Sequence, residues 1–330
     1  MKKNILIIGT GGTIAGTASS DTDTLGYTSA VLTIDSLITE IPSLATIANV
    51  TGEQIAQVDS CDMTHDIWLR LAKRINELLT LDTVDGIVVT HGTDTLEETA
   101  YFLNLVIKNE KPVVIVGAMR PATAISTDGP MNLYNAVVLA ASQQAIGHGV
   151  LVCLNDTINC SRDVTKTNTA LQDTFKSPEL GYLGYIQGKN PYFYRFPARK
   201  HTINTEFDVA LLNELPLVEI VYSHVNSSHI MLNAALAIGI KGLVYAGLGN
   251  GNMSQSMQTA LCACAEQGVM IVRSSRVGSG IVTRNGAMDD DACNFIVADS
   301  LNPQKARVLL MLALTKTNDP AEIQRMFWEY

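Results

Sequence analysis

The chain has 330 residues, 47% of them hydrophobic and 17% charged, and a formal net charge of −9. That length is about two domains' worth, with enough apolar side chains for a large core. The acidic balance argues against nucleic acid and against an anionic membrane surface, since both are bound through a basic face. No apolar run reaches the roughly 20 residues of a membrane span, because "HIMLNAALAIGIKGLVYAGLG" is broken by Asn233 and Lys241.

The start, "MKKNILIIGTGGTIAG", has two lysines before apolar residues, as a signal peptide would. Its apolar stretch, Asn4 to Ile8, is short, and no small-residue cleavage site follows a proper apolar region. "NILIIGT" is therefore read as a buried first strand leading into a Gly-rich turn. "EQIAQV" is a second strand. "HDIWLRLAKRINELLT" is a helix with Ile67, Leu71, Ile75, Leu78 and Leu79 on one face. "DGIVVT" is a strand, and "TLEETAYFLNLVI" a helix whose stripe is Leu96, Leu103, Val106 and Ile107. "KPVVIVGA" and "GVLVCLND" are strands separated by the helical "GPMNLYNAVVLAASQQA". Continuous apolar strands alternating with amphipathic helices predict an α/β fold with a parallel sheet covered on both faces.

From about Gly181 to Asn213 the pattern lapses. "YIQGKNPYFYRFPARKHTINTEF" is rich in turn formers and aromatics and reads as an ordered arm or linker. After it, "LVEIVYSH", "GLVYAGLG" and "VMIVRSS" resume the strand-then-helix rhythm in a smaller unit. Two helices close the chain: "NPQKARVLLMLALT", with Pro303 in its first turn, and "DPAEIQRMFWEY", with Asp319 as N-cap and Pro320 at N1. The expected organisation is a larger N-terminal domain over 1–194 with a mostly parallel doubly wound sheet, a linker over 195–216, and a smaller C-terminal α/β domain over 217–330.

Several chemistries fail on spacing. In "IIGTGGTIAG", a dinucleotide fingerprint starting at Gly9 requires glycine where Ile14 stands, and no Gly-Lys-Ser/Thr follows. What remains is a turn of Gly11 and Gly12 that lifts Thr13 at the carboxyl end of a strand, where open α/β sheets bind ligands. From the turn alone, Thr13 is either a functional group or a turn hydroxyl. His224 and His229 lack metal-ligand spacing. No G-x-S-x-G elbow is present. The cysteines, Cys61, Cys153, Cys160, Cys262, Cys264 and Cys293, make no zinc pattern. Cys262-x-Cys264 reads as two core or helix positions, and all six are expected as reduced thiols.

"VVTHGTDTLEETA", Val88 to Ala100, is richer in polar groups than a helix start needs. Thr95-x-x-Glu98 fits a capping box, and Asp94-x-x-Glu97 nearly as well. One cap uses one side chain, yet the turn supplies Thr90, Thr93, Asp94 and Thr95. A carboxylate at a helix N-terminus stays ionised and suits a ligand's ammonium. "RDVTKTNT" adds Lys166, either a solvated charge or a partner to these groups. Two threonines on two strand-to-helix turns, an aspartate and a lysine suit attack by a hydroxyl on a small polar substrate.

"GTGGTIAG" and "THGTDTLEETAYFL" resemble the two signatures of the bacterial L-asparaginase family, its type II branch in particular. "GAMRP", "DGPMNLYNAV", "RDVTKTNTA", "PARKHT", "GLGNGN", "SSRVGSG" and "LNPQKARVLL" extend the resemblance over nearly the whole chain. It implies a flavodoxin-like C-terminal domain and a homotetramer assembled as a dimer of intimate dimers. Each site would lie between the large domain of one subunit and the small domain of its neighbour. Thr13 is then the nucleophile, with Tyr27 bonded to it. Thr93, Asp94 and Lys166 form a second triad that relays protons. Amides around Gly12 and Thr93 face the oxyanion. Ser60 and Asp94 hold the substrate's α-carboxylate and α-ammonium, and Asp59, Cys61 and Gly92 complete that wall. The Ala118 carbonyl receives the amide nitrogen, and Asn252 reaches in from the partner subunit.

No metal or organic cofactor is implied, and the small-molecule substrate is L-asparagine or L-glutamine. The chain departs from the family pattern where Cys61 stands in place of Gln or Glu. It departs again where Ala287 occupies the position of a neighbour-subunit Glu that contacts the ammonium. Leu81 and Asn109 stand where secreted relatives can carry a disulfide, in keeping with a cytoplasmic protein. The expected activity is hydrolysis of L-asparagine. The alternatives are a broader glutaminase-asparaginase, a tRNA-dependent amidotransferase subunit that the acidic charge disfavours, and a non-catalytic sensor of an amino acid or nucleotide.

Overall fold

The structure is a computed structural model that describes residues 2–330. The chain divides into two compact units, one ending at Leu212 and the other running from Asn213 to Tyr330.

The first unit opens with β1 (Lys3–Gly11), whose residues from Ile5 onward are all buried. The short strands β2 (Thr17–Ala18) and β3 (Tyr27–Thr28) pair as a hairpin. Two short helices, α1 (Ile34–Thr39) and α2 (Leu44–Ile47), precede the long strand β4 (Ala48–Val58). Then follow α3 (His65–Leu79), β5 (Gly86–Thr90), α4 (Leu96–Val106), β6 (Val113–Val116), α5 (Gly129–Ala140) and β7 (Val150–Leu154). An antiparallel group closes the unit: β8 (Thr157–Cys160), the paired β9 (Thr165–Lys166) and β10 (Phe175–Lys176), and the hairpin of β11 (Gly184–Gln187) and β12 (Asn190–Phe193).

The eight-stranded sheet has the order β12-β11-β8-β7-β6-β5-β1-β4. Its strands from β4 to β7 pair in parallel, and the three at the other edge pair antiparallel. Having laid β4 on one side of β1, the chain crosses to lay β5 on the other. The carboxyl ends of β1 and β5 therefore flank a topological switch point, the crevice where such sheets bind ligands. Register brings the two ends level, with Gly9 paired to Thr90. On one face the sheet packs against α5 through Leu133, Ala136, Val137 and Ala140. Trp68 of α3 stacks on Phe102 of α4, with ring centroids 5.0 Å apart.

Three expectations are corrected in this unit. Thr95 occupies the N-cap position of α4 but makes no side-chain cap; its hydroxyl donates to the Ser60 carbonyl at 2.8 Å. Nor is α4 a one-sided amphipathic helix, since all its residues except Glu98 are buried, the polar Glu97, Thr99 and Asn104 among them. The stretch read as an arm contains the β11–β12 hairpin, closed by a Gly188–Lys189 turn in which Gly188 has φ 65°. Near the positions where a disulfide was considered, Asn109 donates to the Leu79 carbonyl at 3.1 Å, and Lys111 Nζ donates to the Leu79 and Leu81 carbonyls, each at 2.9 Å.

The second unit has a four-stranded parallel sheet of β13 (Val218–Tyr222), β14 (Gly242–Gly247), β15 (Met270–Ser275) and β16 (Ile296–Val297), in that order. Its helices are α6 (Ile230–Ala237), α7 (Gln255–Glu266), α8 (Pro303–Ala313) and α9 (Pro320–Glu329). Both closing helices start as their sequences dictate. Asn302 accepts from the Lys305 amide ahead of Pro303, and Asp319 accepts from the Ala321 amide ahead of Pro320. Arg273 and Asp290 form a fully buried bidentate pair at 2.5 and 2.7 Å. The remaining donors of that guanidinium reach the carbonyls of Asn250, Gly251 and Thr283.

The expectation of six reduced thiols is overturned here. Cys262 on α7 and Cys293 form a disulfide, and Cys61, Cys153, Cys160 and Cys264 stand outside it. Their Cα atoms are 5.1 Å apart although 31 residues separate them in sequence, so the bridge is a product of folding that spacing does not reveal. Among the described residues, no helix is long and apolar enough to cross a membrane.

Candidate functional site

The turn after β1 is built to come close to the turn after β5. Gly12 has φ 82°, and a Cβ there would lie 2.3 Å from the Cα and the nitrogen of Gly92. Only glycine tolerates both the conformation and the contact. A 3-10 turn over Thr13–Ala15 follows, and Thr13 is buried within it. The β2–β3 hairpin returns Tyr27 over this turn, so that its phenol oxygen lies 2.7 Å from Thr13 Oγ1.

The second turn carries the other hydroxyl. Lys166 Nζ lies 2.9 Å from Thr93 Oγ1 and 2.5 Å from Asp94 Oδ1. Its strand is held by Glu97, whose buried carboxylate accepts from the Lys166 amide at 2.7 Å and the Thr165 hydroxyl at 2.8 Å. Glu97 was read in sequence only as a helix-capping candidate; its partners lie about seventy positions away, and only the surplus of acids at the helix start hinted at another use.

A third wall comes from the 3-10 turn Ser60–Asp62, which Asp59 caps by accepting from the Cys61 amide at 3.3 Å. The Asp94 amide donates to Ser60 Oγ at 3.2 Å, and Ser29 Oγ donates to Asp59 Oδ2 at 2.6 Å. The Cys61 thiol donates to Asp94 Oδ2 at 3.4 Å. One ligand atom each from Asp59, Cys61 and Asp94 gathers within 4.8 Å. The two carboxylates of this cluster suit an ammonium group.

At the end of β6, a Cβ on Gly117 would stand 3.2 Å from the Thr93 methyl, which sets the buried Ala118 beside this turn. The chain beyond Ala118 is fixed by Asp128, whose two oxygens accept from the amides of Met119 and Arg120.

Charge is distributed to match. Lys166 holds the Asp94 carboxyl below its ordinary range. Asp94 in turn pushes the Cys61 thiol up, so that it stays protonated. His91, fully buried with its ring toward Thr99 of α4, has its pKa pushed down to about 4 by burial and is neutral at ordinary pH.

Of the residues singled out in sequence, Gly12, Thr13, Tyr27, Asp59, Ser60, Cys61, Gly92, Thr93, Asp94, Ala118 and Lys166 all belong to the first unit, around the ends of β1, β5 and β6. Asn252 belongs to the second, where it closes a turn by exchanging backbone hydrogen bonds with Leu248 at 2.7 and 2.8 Å. Ala287 is exposed in the loop between β15 and β16.

These features define a two-unit α/β protein with a cluster of hydroxyls, carboxylates and one lysine at its switch point. The model of the asparaginase N-terminal domain matches residues 4–199, and that of the glutaminase/asparaginase C-terminal domain matches residues 217–327. The chain belongs to the asparaginase/glutaminase family. It is 54% identical over 327 residues to L-asparaginase 2 of Bacillus subtilis (strain 168), spanning 99% of this chain and 86% of that protein. To the glutaminase-asparaginase of Pseudomonas fluorescens biotype A it is 49% identical over 328 residues, 99% of this chain and 90% of that one. Among solved structures, it superimposes with a TM-score of 0.97 on the probable cytoplasmic L-asparaginase from Campylobacter jejuni, at 49% identity and covering 100% of both chains.

Proposed function

We propose that this protein is an L-asparaginase, an amidohydrolase that converts L-asparagine and water to L-aspartate and ammonia. The observation that carries the reading is the pair of hydroxyls on touching turns, each with its own partner: Thr13 with Tyr27, and Thr93 with Lys166. Thr13 Oγ attacks the side-chain amide carbon as its proton passes to the Tyr27 oxygen and the phenol's own proton passes on toward the Thr93–Lys166–Asp94 chain. A threonine hydroxyl is weakly nucleophilic alone and needs such a partner. The tetrahedral oxyanion is received by backbone amides around Gly12 and Thr93, donors commonly worth about 3–4 kcal/mol of barrier each.

The C–N bond then breaks, and the nitrogen leaves as ammonia with a proton supplied along the Thr93–Lys166–Asp94 chain. Water attacks the acyl ester, releasing aspartate and returning the proton to Thr13. Ser60 and Asp94 bind the substrate's α-carboxylate and α-ammonium, with Asp59, Cys61 and Gly92 lining that wall. The ionised Asp94 suits the ammonium, and a neutral Cys61 thiol adds no competing charge. The Ala118 carbonyl takes the amide nitrogen. The chain's own groups suffice for each of these steps.

In this reading the domains are 1–194 and 217–330, joined by 195–216. Asn252 acts in a partner's site within a homotetramer made of two intimate dimers. A Thr13→Ala variant that stays folded and still releases ammonia at the wild-type rate overturns the mechanism.

A glutaminase-asparaginase is the second reading, favoured by Cys61 beside Asp94 in place of the family's Gln or Glu, a thiol that offers less to fix the substrate's ammonium. Parallel ammonia-release assays with L-Asn, D-Asn and L-Gln decide it, since comparable rates on L-Asn and L-Gln select the broader enzyme. We place the protein in the cytoplasm, in keeping with Leu81 and Asn109 at the positions discussed above. The Cys262–Cys293 bridge favours an oxidising compartment instead, and cell fractionation separates the two.

A further inference from the structure

We infer that His91 is a positioning residue for the hydrolysis: held as a single tautomer by Thr99 and Trp68, it fixes the Gly92 carbonyl and thereby aims the Thr93 N–H at the developing oxyanion. The inference rests on the reading above, in which the Thr93 amide is an oxyanion donor.

Donor and acceptor types leave one assignment. His91 Nδ1 lies 2.7 Å from the Gly92 carbonyl oxygen, which only accepts, so Nδ1 carries the proton. His91 Nε2 lies 2.8 Å from Thr99 Oγ1, and the Trp68 indole nitrogen, which only donates, lies 2.8 Å from the same oxygen. Thr99 therefore accepts from Trp68 and donates to Nε2. The chain Trp68→Thr99→His91→Gly92 runs in one direction, with every atom in a role it can play. The opposite tautomer sets a nitrogen lone pair against a carbonyl lone pair at 2.7 Å and leaves the Thr99 proton without an acceptor. Burial keeps the imidazole from charging and so from donating at both nitrogens.

The consequence reaches the site through one peptide plane. Among the described residues there is no cis peptide bond, so the Thr93 N–H points opposite to the Gly92 carbonyl. With that carbonyl turned to His91, the N–H is directed away from it, and it makes no hydrogen bond to protein among the described residues. Gly92 has no side chain to hold its own torsion, and a glycine peptide turns more freely than any other. His91 supplies the restraint from the core, anchored through Trp68 on α3 and Thr99 on α4. No proton needs to leave His91 during turnover.

Two measurements test this. In nitrogen-15 NMR of the histidine-labelled enzyme, or in a neutron structure, the His91 proton is expected on Nδ1; a proton on Nε2 overturns the inference whatever the activity. Thr99→Val removes the relay hydroxyl while keeping the side-chain shape. It is expected to lower kcat for L-asparagine about 10-fold, less than outright loss of an oxyanion donor, with KM within about twofold of wild type. Thr99→Ser, which keeps the hydroxyl, is expected to restore kcat. A Thr99→Val enzyme with a lowered melting temperature but unchanged kcat per folded molecule would make the relay merely structural and overturn the proposal. Where Thr99→Val does not fold, a Thr99→Ser kcat well below wild type, or the Nε2 proton, overturns it equally. If the wild type releases no ammonia, the amidohydrolase reading fails and the catalytic assignment of His91 falls with it, whereas an active enzyme with an Nε2 proton sinks only the relay.

Discussion

Gly12 and Gly92 meet backbone to backbone, so closely that a Cβ on Gly12 would sit 2.3 Å from the Gly92 Cα and nitrogen. This contact joins the turn that carries Thr13 to the turn that carries Thr93. Gly12→Ala therefore forces backbone against backbone and strains a positive φ. It is expected to cost about 1–3 kcal/mol of stability and to reduce ammonia release at least about 100-fold, since misplacement of about 1 Å is enough for that. At Gly92 a Cβ would meet the Ser60 Oγ at 2.7 Å, the Ser60 Cβ at 2.8 Å and the Gly12 Cα at 3.1 Å, all looser than the 2.3 Å backbone contacts at Gly12. Melting curves and assays on both variants are expected to rank Gly12→Ala as the more damaging.

Lys166 separates function from stability. Its partner Asp94 has a half-exposed side chain, and ion pairs open to solvent contribute only about 0–1 kcal/mol. Lys166→Met is expected to shift the melting temperature by no more than a few degrees while lowering kcat about 10²–10⁴-fold. A variant that loses stability but keeps its turnover would assign Lys166 to the scaffold.

The proposed sharing of sites between subunits predicts complementation. Thr13→Ala and Asn252→Ala chains, each nearly inactive alone, are expected to recover about a quarter of wild-type activity when dissociated and reassembled at equal ratio, since a mixed isologous dimer has one intact site of two. No recovery, with mixed oligomers demonstrated by mass, would confine Asn252 to its own subunit.

His91 also sets a pH window. Unfolded, it titrates at the ordinary value of 6.5; folded, burial pushes it down to about 4. Between these values the unfolded chain binds a proton that the folded chain refuses, so stability is complete above about 6.5 and declines as pH falls toward 4. The loss amounts to about 3 kcal/mol at the lower end. Urea unfolding from pH 7 to pH 4 measures it, and His91→Gln is expected to flatten that part of the profile.

The disulfide is checked by counting. Denatured without reductant, the protein is expected to titrate four thiols, and after reduction all six. Cys262→Ser is expected to destabilise the second unit by about 2–4 kcal/mol, the usual range for a bridge closing a loop of this size.

The parallel core was legible because β1 and β5 are unbroken apolar runs, and α8 and α9 because a capping side chain and a proline mark each start. The hairpins β2–β3 and β9–β10 were not, since strands of two residues leave no period to detect. The excess of hydroxyls between Thr90 and Thr95 pointed to a use beyond capping, and the structure takes even Thr95 away from that task. Glu97 and His91 stayed hidden for a common physical reason: each acts through partners supplied by other elements, Thr165 and Lys166 for one, Thr99 and Trp68 for the other. A solitary acid or histidine in sequence does not announce such partners.

The buried pair of Arg273 and Asp290 bears on how this chain can change over evolutionary time. Losing either partner alone strands a charge in the core, at a cost of about 3–5 kcal/mol, a large part of a typical domain's total stability. Descendants are thus expected to keep both residues or to replace both together by an uncharged pair. The loop they secure is expected to keep glycine at 251, where φ is 72° and a Cβ would lie 2.9 Å from the guanidinium, whereas the grip on Asn250 and Thr283 is on backbone carbonyls that substitution there retains.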